Sequence, residues 1–468
     1  MPPDPLLDPA ALNSGMLELA RHLHAELLAD WVALDLPARW TPGEQGPGVP
    51  GGWRAASVPA SLHRRRAELI VAASDTAAIR RGVEAGADAI VLDLDDTFSP
   101  RSGNLGLAYA SFQTFAAAPH PFLTRMRPLA HREGRVSFDS QPAVSGLLDL
   151  AAYAWAFRER EIILYLPKLD AVPEAQFWKQ ALELTERWLG LPAHSVRVCL
   201  QIETLPGLMN AEALLYALHE YAYGLNAGRW DYVFSVVKHL GEELASPLPE
   251  RAHLTMQQPS MQAYALHIAQ VCRRLGAQAI GGTAAVALTG DPERDEAALE
   301  GVRLDKAREA AQGFVAAWAG SPELLDAVRG AFAADVPLPV LADHPVTDHL
   351  SAALALPRAV SIPDAAVQDA IGVALSVFGA WLAGVGEVAR PDASGLGRSE
   401  DTATAELARA QLWHWLRRGV LSELDYLRWR RAELPDHLPA AQLLDALVLA
   451  EQCAPYFPAV AEAMFPEI

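Results

Sequence analysis

The chain has little cysteine, a deficit of positive charge and no charge-free apolar run long enough to span a bilayer comfortably. Its 468 residues include three cysteines, Cys199, Cys272 and Cys453, far apart and without metal-ligand spacing. That excludes a disulfide framework or a thiolate metal site and predicts reduced core thiols in a cytoplasmic protein. Lysine and arginine (38) are outnumbered by aspartate and glutamate (57), for a formal net charge of −19. Nucleic acid and anionic membrane are therefore excluded as bulk partners, and an anionic ligand would need a local cationic or metal site. No basic stretch followed by an apolar run opens the chain, so no secretory leader is expected. The chain ends FPEI, which is no peroxisomal address. The longest uncharged apolar stretch, AIGVALSVFGAWLAGVG (370–386), carries several glycines and is expected to be a buried helix.

What is present is a large apolar fraction, 51%, enough for a substantial core. Length alone suggests about two to four domains, or one barrel of about 250 residues with appendages. Residues 10–35 read as N-terminal helix, and 41–55, rich in Gly and Pro, as a linker. A rhythm of short apolar runs and amphipathic helical stretches follows. The runs are RAELIVAA (66–73), ADAIVLDLDD (87–96), FLTRMRPL (122–129) and EIILYLPKLD (161–170). SVRVCLQIET (195–204), AYGLNAG (222–228), HLTMQQP (253–259) and AQAIGGTAAV (277–286) complete eight. Nearly continuous apolar runs suit strands buried on both faces, and eight of them alternating with helices predict an α/β fold, a (β/α)8 barrel. A doubly wound sheet is the second possibility, weakened because no glycine-rich phosphate fingerprint follows the first strand. After about residue 290 the sequence reads as helical. The expected organisation is an N-terminal helical segment and linker (1–60), the barrel (61–340) and a C-terminal helical domain (341–468).

In such a barrel the chemistry sits where strands end. Strand two ends with Asp93, Asp95 and Asp96; strand three carries Arg125 and Arg127; strand four ends with Lys168, strand five with Glu203. Strand six leads into GRWD, which places Asp231 beside a helix N-terminus with free N–H groups. Glu203 and Asp231, two carboxylates from adjacent strands without Cys or His partners, favour a hard cation such as Mg²⁺. The bland alternative is a pair of salt-bridged acids. The 93–96 acids allow either a second metal site or hydrogen bonds and salt bridges to the arginines. Lys168 pairs with those acids or approaches an anionic ligand. His131 and His253 have no partner spacing. In the C-terminal part, Ser399, Glu400, Asp401 and Thr402 read as a helix cap, or as a carboxylate delivered over the barrel mouth as a general base.

These same residues carry a resemblance to the malate synthase family, in its shorter A-type isoform. The stretches are GGWRAASVPASLHRRRAEL, GADAIVLDLDDTFSP, YLPKLD, QIET, GLNAGRWDYVFS, TMQQPSMQAY, GAQAIGGTAA and SEDTATAELARAQLWHWLRRG. Together they run from about residue 47 to about 435. The resemblance implies a Mg²⁺-dependent barrel enzyme that condenses glyoxylate with acetyl-CoA and water to give malate and CoA. It implies Glu203 and Asp231 as metal ligands and the N–H groups near Trp230 and Asp231 as holders of the glyoxylate carboxylate. Gly228 would allow close approach, Arg125 would stabilise the enolate and aldehyde oxygens, and Asp401 would be the base. Pro259, in TMQQPSMQAY, is the expected CoA contact.

The sequence departs from the family pattern in places. Strand three reads RMRPLAH (125–131) where the family usually has Arg-Pro-Arg-Gly-Trp-His-Leu, and Ala227 replaces the usual Cys before GRWD. The approach to Asp401 is RPDASGLGRSED. The alternatives in the same superfamily of chemistry are a citrate-lyase-β-like lyase of β-hydroxyacyl-CoA thioesters and a malyl-CoA thioesterase. A drifted, non-catalytic paralogue is a third reading.

Overall fold

The protein is described by a computed structural model covering residues 13–36, 40, 48–101, 103–244, 246–333, 346–392 and 394–466. Part of the expected 41–55 linker, and the expected boundary at 340/341, lie outside those residues.

Eight parallel strands close into a barrel: β1 (Ala67–Ala72), β2 (Ala89–Asp93), β3 (Phe122–Arg125), β4 (Ile163–Leu166), β5 (Arg197–Ile202), β6 (Ala222–Ala227), β7 (Gln278–Ala284) and β8 (Ala316–Ala319). Neighbours in sequence are neighbours in space, and β8 closes on β1, with Ala67 opposite Ala317. Strands β2, β3, β4, β6 and β8 are buried along their whole length, which is why they read as unbroken apolar runs. Ile70, Val91, Leu123, Tyr165, Tyr223 and Trp318 fill the barrel interior. A buried Arg65–Glu68 ion pair (2.9 Å) lies among them, and Tyr165 (2.7 Å) and Trp318 (2.9 Å) donate to Glu68. The Glu68 carboxylate is thus paired within the barrel, as a buried charge requires.

Seven of the eight expected strands are present, and one is corrected. HLTMQQP (253–259) is not a strand; it is the end of a short 3-10 turn (Arg251–His253) and a loop leading into the helix Pro259–Leu275. Leu254 and Met256 alternate inward like strand residues, but they pin a loop to the core and pair with no neighbour. The eighth strand is AAWA at 316–319, inside the stretch expected to be continuous helix. The helix Pro292–Ala311 ends there, and Gly313 turns the chain with φ of 100°, a conformation glycine adopts without Cβ strain.

Two small hairpins are additional: Arg132–Phe138 with Gln141–Val144, and Val388–Pro391 with Gly397–Glu400. The N-terminal helix, Ser14–Ala33, is capped by the Asn13 side chain and packs its Leu19, Leu23 and Leu27 face into the barrel's outer core. The apolar stretch at 370–386 is the helix Asp364–Leu382, long and apolar enough to cross a membrane by length and composition, with half of its most apolar window buried in the protein. It packs on the helix Thr402–Arg417 and the helix Pro439–Val448 around a second core that includes Phe378, Trp381, Leu412 and Trp415.

The C-terminal helices are tied to the barrel rim. Ser399 N–H bonds Ala285 O (3.0 Å) after β7, and Thr402 N–H bonds Asp96 O (3.1 Å) after β2. Ser99 Oγ donates to Trp381 O (2.7 Å), and Trp415 Nε1 to Leu248 O (2.8 Å). These bonds suspend Asp401 over the C-terminal ends of the strands.

Candidate active site

A pocket with about 920 Å³ of empty space, counted to its open mouth, lies at those strand ends. Arg125, Glu203, Gly228, Trp230, Asp231 and Asp401 all line it. Pro259 does not; it is exposed at the first turn of its helix, and Met256, three residues earlier, lines the pocket instead.

The two arginines part because β3 ends at Arg125 and Arg127 lies in the loop beyond it. Arg125 faces the pocket and donates Nε to Asp93 Oδ1 (2.5 Å), Nη2 to Asp93 Oδ2 (2.6 Å) and Nη1 to Asp96 Oδ2 (2.6 Å). Its guanidinium lies over the Trp318 ring, 5.3 Å from the centroid. Arg127 points away and is spent on Asp149 (2.7 Å) and Glu133 (2.7 Å). The 93–96 acids therefore divide: Asp93 and Asp96 hold Arg125, and Asp95 takes Lys168 Nζ at 2.5 Å.

Asp96, Glu203 and Asp231, all buried, bring one carboxylate oxygen each within 4.8 Å of one another. The sequence pointed to Glu203 and Asp231; Asp96 joins them because the turn after β2 carries it across the barrel mouth. Lys168 Nζ stands beside the group, 3.0 Å from Asp96, 3.6 Å from Asp231 and 3.7 Å from Glu203. Its backbone sits at φ +53°, a left-handed conformation that costs a lysine about 1 kcal/mol or more. Its N–H there donates to Glu203 Oε1 at 3.1 Å.

The fit to a divalent cation rests on two observations. Five buried carboxylates (Asp93, Asp95, Asp96, Glu203, Asp231) face only Arg125 and Lys168 as close cations, and such an excess of buried negative charge is costly. Asp231 Oδ1 is buried without a hydrogen-bond partner. An all-oxygen donor set of this kind suits Mg²⁺. Gly228 lets the group close up: a Cβ there would fall 2.5 Å from Glu203 Oε2.

The protonation tendencies follow. Burial, then the Asp96 charge, raises Asp231 well above the usual carboxylate range. Burial raises Glu203, with Lys168 opposing. Asp95 is pushed up to about 8 by burial and Asp96. Burial works against ionised Asp96 too, but Lys168 and Arg125 outweigh it and hold that carboxyl low.

Asp401 is a helix cap that also faces the barrel mouth. It caps the helix Thr402–Arg417, with Oδ1 accepting from Thr404 N–H (3.1 Å), and it lines the pocket. Burial and the Asp96 charge raise its proton affinity well above that of an ordinary aspartate. Glu387, from the loop before the C-terminal hairpin, and Trp318, on β8, complete this end of the pocket. Neither was singled out from the sequence. The bracketing of FVAAWA by Gly313 and Gly320 is the signal that could have found Trp318. His131 and His253 stay outside the pocket; His253 is exposed beside Glu250 (3.0 Å).

A closed parallel barrel with a buried group of three carboxylates, an inward arginine and a carboxylate lowered from a C-terminal helical cover defines a (β/α)8-barrel enzyme. Comparison with known proteins narrows this. The family described as "Malate synthase, TIM barrel domain" matches residues 122–343, and "Malate synthase, C-terminal" matches 362–438. A malate synthase of Streptomyces clavuligerus is 34% identical over 412 residues, 79% of this chain and 74% of that one. One from Oryza sativa subsp. japonica is 31% identical over 444 residues, 87% and 77% of the two chains. A solved Haloferax volcanii malate synthase, in a pyruvate/acetyl-CoA ternary complex, covers 86% of this chain and 98% of its own at 16% identity and a TM-score of 0.51; that likeness concerns the fold alone. The chain belongs to the malate synthase family, and it is an enzyme of that transferase type.

Proposed function

We propose that the protein condenses glyoxylate with acetyl-CoA and water to give malate and CoA, in a cytoplasmic setting that suits its three unpaired cysteines. The observation that carries the reading is the convergence of Asp401, Arg125 and the Asp96–Glu203–Asp231 group on one pocket.

Asp96, Glu203 and Asp231 would hold Mg²⁺, which when bound supplies a Lewis acid for the 2-oxo acid. The carboxylate of glyoxylate is received by the first N–H groups of the helix Arg229–Leu240. The earliest intrahelical bond there is Tyr232 N–H to Gly228 O (3.2 Å), so the N–H groups of Trp230 and Asp231 precede the ladder and are free for an anion. Asp401 takes the methyl proton of the thioester on Oδ2, because Oδ1 is engaged with Thr404. A carboxylate is a weak base for that proton, and its burial, which raises its proton affinity, brings it closer to the task. Arg125 has spent three of its five N–H groups on Asp93 and Asp96; two remain for the enolate oxygen. The C-terminal helices exclude water from the pocket during proton removal.

The lyase and thioesterase readings use the same barrel end, but neither requires a base for a methyl proton from residues 362–438, where the family's C-terminal domain matches. Supplying ¹³C-labelled glyoxylate with acetyl-CoA and following the label by NMR tests the proposal. Label in malate supports it; label that stops at malyl-CoA would favour the lyase, and label left in glyoxylate would contradict the proposal.

A further inference from the structure

Asp401 has a second carboxyl opposite it that the mechanism above leaves unused. The hairpin of Val388–Pro391 with Gly397–Glu400 pairs Val388 with Glu400. One step beyond that pair, the register sets Glu387 against Asp401, and residues opposite each other in an antiparallel ladder share a face. Both side chains line the pocket. Beside burial and the Asp96 charge, the Glu387 charge raises the proton affinity of Asp401. The segment that carries Glu387 is fixed to the turn after β2. Asn104 Nδ2 donates to Gly384 O (2.5 Å) and to Ser99 O (3.0 Å), and a Cβ on Gly386 would collide with Thr97 O. Glu387 Oε1 accepts from the Ser399 hydroxyl, and Ser399 N–H is itself tied to Ala285 O (3.0 Å). Among the described residues Glu387 makes no ion pair, and its Oε2 accepts no hydrogen bond.

A carboxylate with one oxygen held, the other open to the pocket and no cation to neutralise it is placed as a base is placed. Burial raises its proton affinity, with the Ser399 bond opposing, and its partial exposure leaves it within reach of water. The proposed reaction takes two protons, one from a methyl carbon and one from water. Asp401 has one free oxygen, and that oxygen leaves the first step carrying the methyl proton. Hydrolysis then needs a base aimed at the thioester carbonyl carbon, one bond from the carbon that Asp401 serves. We propose that Glu387 is this second base, activating the water that hydrolyses the malyl thioester. Its Oε2 takes a proton from water as the water oxygen bonds to the carbonyl carbon. The C–S bond breaks as the tetrahedral intermediate collapses, and the departing sulfur takes the proton back from Glu387 and leaves as the CoA thiol. The new carboxylic acid of malate gives its own proton to solvent. The inference rests on the condensation reading of the same pocket and divides its labour: Asp401 serves the C–C bond, Glu387 the C–S bond.

The test follows labelled glyoxylate with acetyl-CoA and Mg²⁺ through quenched time points, separating malyl-CoA from malate, and follows malyl-CoA supplied directly. It compares the unaltered protein with Glu387→Gln, which keeps an acceptor for the Ser399 hydroxyl, with Glu387→Asp and with Asp401→Asn. The unaltered protein should carry label through to malate. Glu387→Gln should condense at nearly the parental rate but accumulate label in malyl-CoA, and should hydrolyse supplied malyl-CoA about 10² to 10⁴ more slowly. Glu387→Asp should recover part of that loss. Asp401→Asn should form neither product from glyoxylate yet still hydrolyse supplied malyl-CoA. Equal slowing of condensation and hydrolysis in Glu387→Gln would mean that Glu387 only supports Asp401 or the fold, and would overturn the assignment. Unimpaired hydrolysis in Glu387→Gln would overturn it too. If the unaltered protein makes neither malyl-CoA nor malate, the condensation reading itself fails, and the second base with it.

Discussion

Asp401 and Thr404 hold each other: Thr404 N–H donates to Asp401 Oδ1 at 3.1 Å, and Asp401 N–H donates to Thr404 Oγ1 at 2.8 Å. The reciprocal pair starts the helix Thr402–Arg417 and fixes one oxygen of the carboxylate while the other is left to the pocket. Asparagine keeps the cap and loses the base. Asp401→Asn should therefore unfold within about 0.5 kcal/mol of the parent, while turnover falls by about 10² to 10⁴. Chemical denaturation beside steady-state kinetics checks both; near-normal turnover would remove Asp401 from the role of base.

Gly228 is required by space. A Cβ at this position would meet Glu203 Oε2 at 2.5 Å and Glu203 Cβ at 2.8 Å. Gly228→Ala should push Glu203 out of the three-carboxylate group and weaken Mg²⁺ activation at least about tenfold. Titrating activity against Mg²⁺, with calorimetric Mg²⁺ binding as a second readout, measures this. An unchanged Mg²⁺ midpoint would contradict the packing argument.

Asp96 and Asp231 should both count for the metal. Asp231→Asn and Asp96→Asn are each expected to weaken Mg²⁺ binding by about tenfold to a hundredfold. If Asp96→Asn binds the ion normally while Asp231→Asn does not, the cation is held by Glu203 and Asp231 alone and Asp96 serves only to orient Arg125.

The two arginines of strand three should fail differently. Arg127 is buried between Asp149 and Glu133, and removing it strands the buried Asp149 without a cation, while Glu133 keeps Arg135 (2.6 Å). Arg127→Met should cost about 3–5 kcal/mol of stability. Arg125→Lys keeps a cation between Asp93 and Asp96 but loses the planar fork, so its main deficit should be in kcat. A large kcat loss in an Arg127 variant of parental stability would reverse the assignment.

Two buried imidazoles should make the fold acid-sensitive. Val144 N–H donates to His24 Nε2 (2.7 Å), and Leu248 N–H donates to His414 Nε2 (3.2 Å). Both rings are therefore neutral in the fold. Burial pushes His414 down to about 4 and lowers His24, against about 6.5 in the unfolded chain. Between those values the unfolded chain binds more protons, so this part of the stability is present above pH 6.5 and is lost as pH falls toward 4. Buried carboxyls with raised pKa, such as Asp401 and Asp231, act with the opposite sign. The readout is accordingly a difference. His414→Gln, which keeps an acceptor for Leu248 N–H, should lose about 1–3 kcal/mol less than the parent between pH 7 and pH 4.5. Parallel stability curves would refute it.

The barrel was legible because β1 to β7 are short apolar runs buried on both faces, punctuated by turns. β8 was not, because AAWA is four residues of small side chains following a long helix, and alanine favours helix in the absence of tertiary context. HLTMQQP misled because alternating burial of Leu254 and Met256 mimics a strand whether or not a neighbour pairs with it. At the site, strand-end position pointed to Glu203, Asp231 and the pair Arg125 and Arg127, and motif resemblance singled out Arg125 and Asp401. Asp96 escaped as a member of the cation site because three acids in four residues cannot be told apart by spacing; only the turn after β2 separates their partners. Arg127 could be separated from Arg125 only by seeing that β3 ends at Arg125 and that the loop beyond it brings Arg127 to Asp149.

The central claim is that this pocket joins an acyl thioester to a 2-oxo acid with a cation in attendance. The most direct measurement is release of CoA thiol from acetyl-CoA, followed with a chromogenic thiol reagent, with and without glyoxylate and with and without Mg²⁺. The account predicts release only when both are present, and its loss in Asp401→Asn. Release that ignores glyoxylate, or none under any of the four conditions, would contradict it.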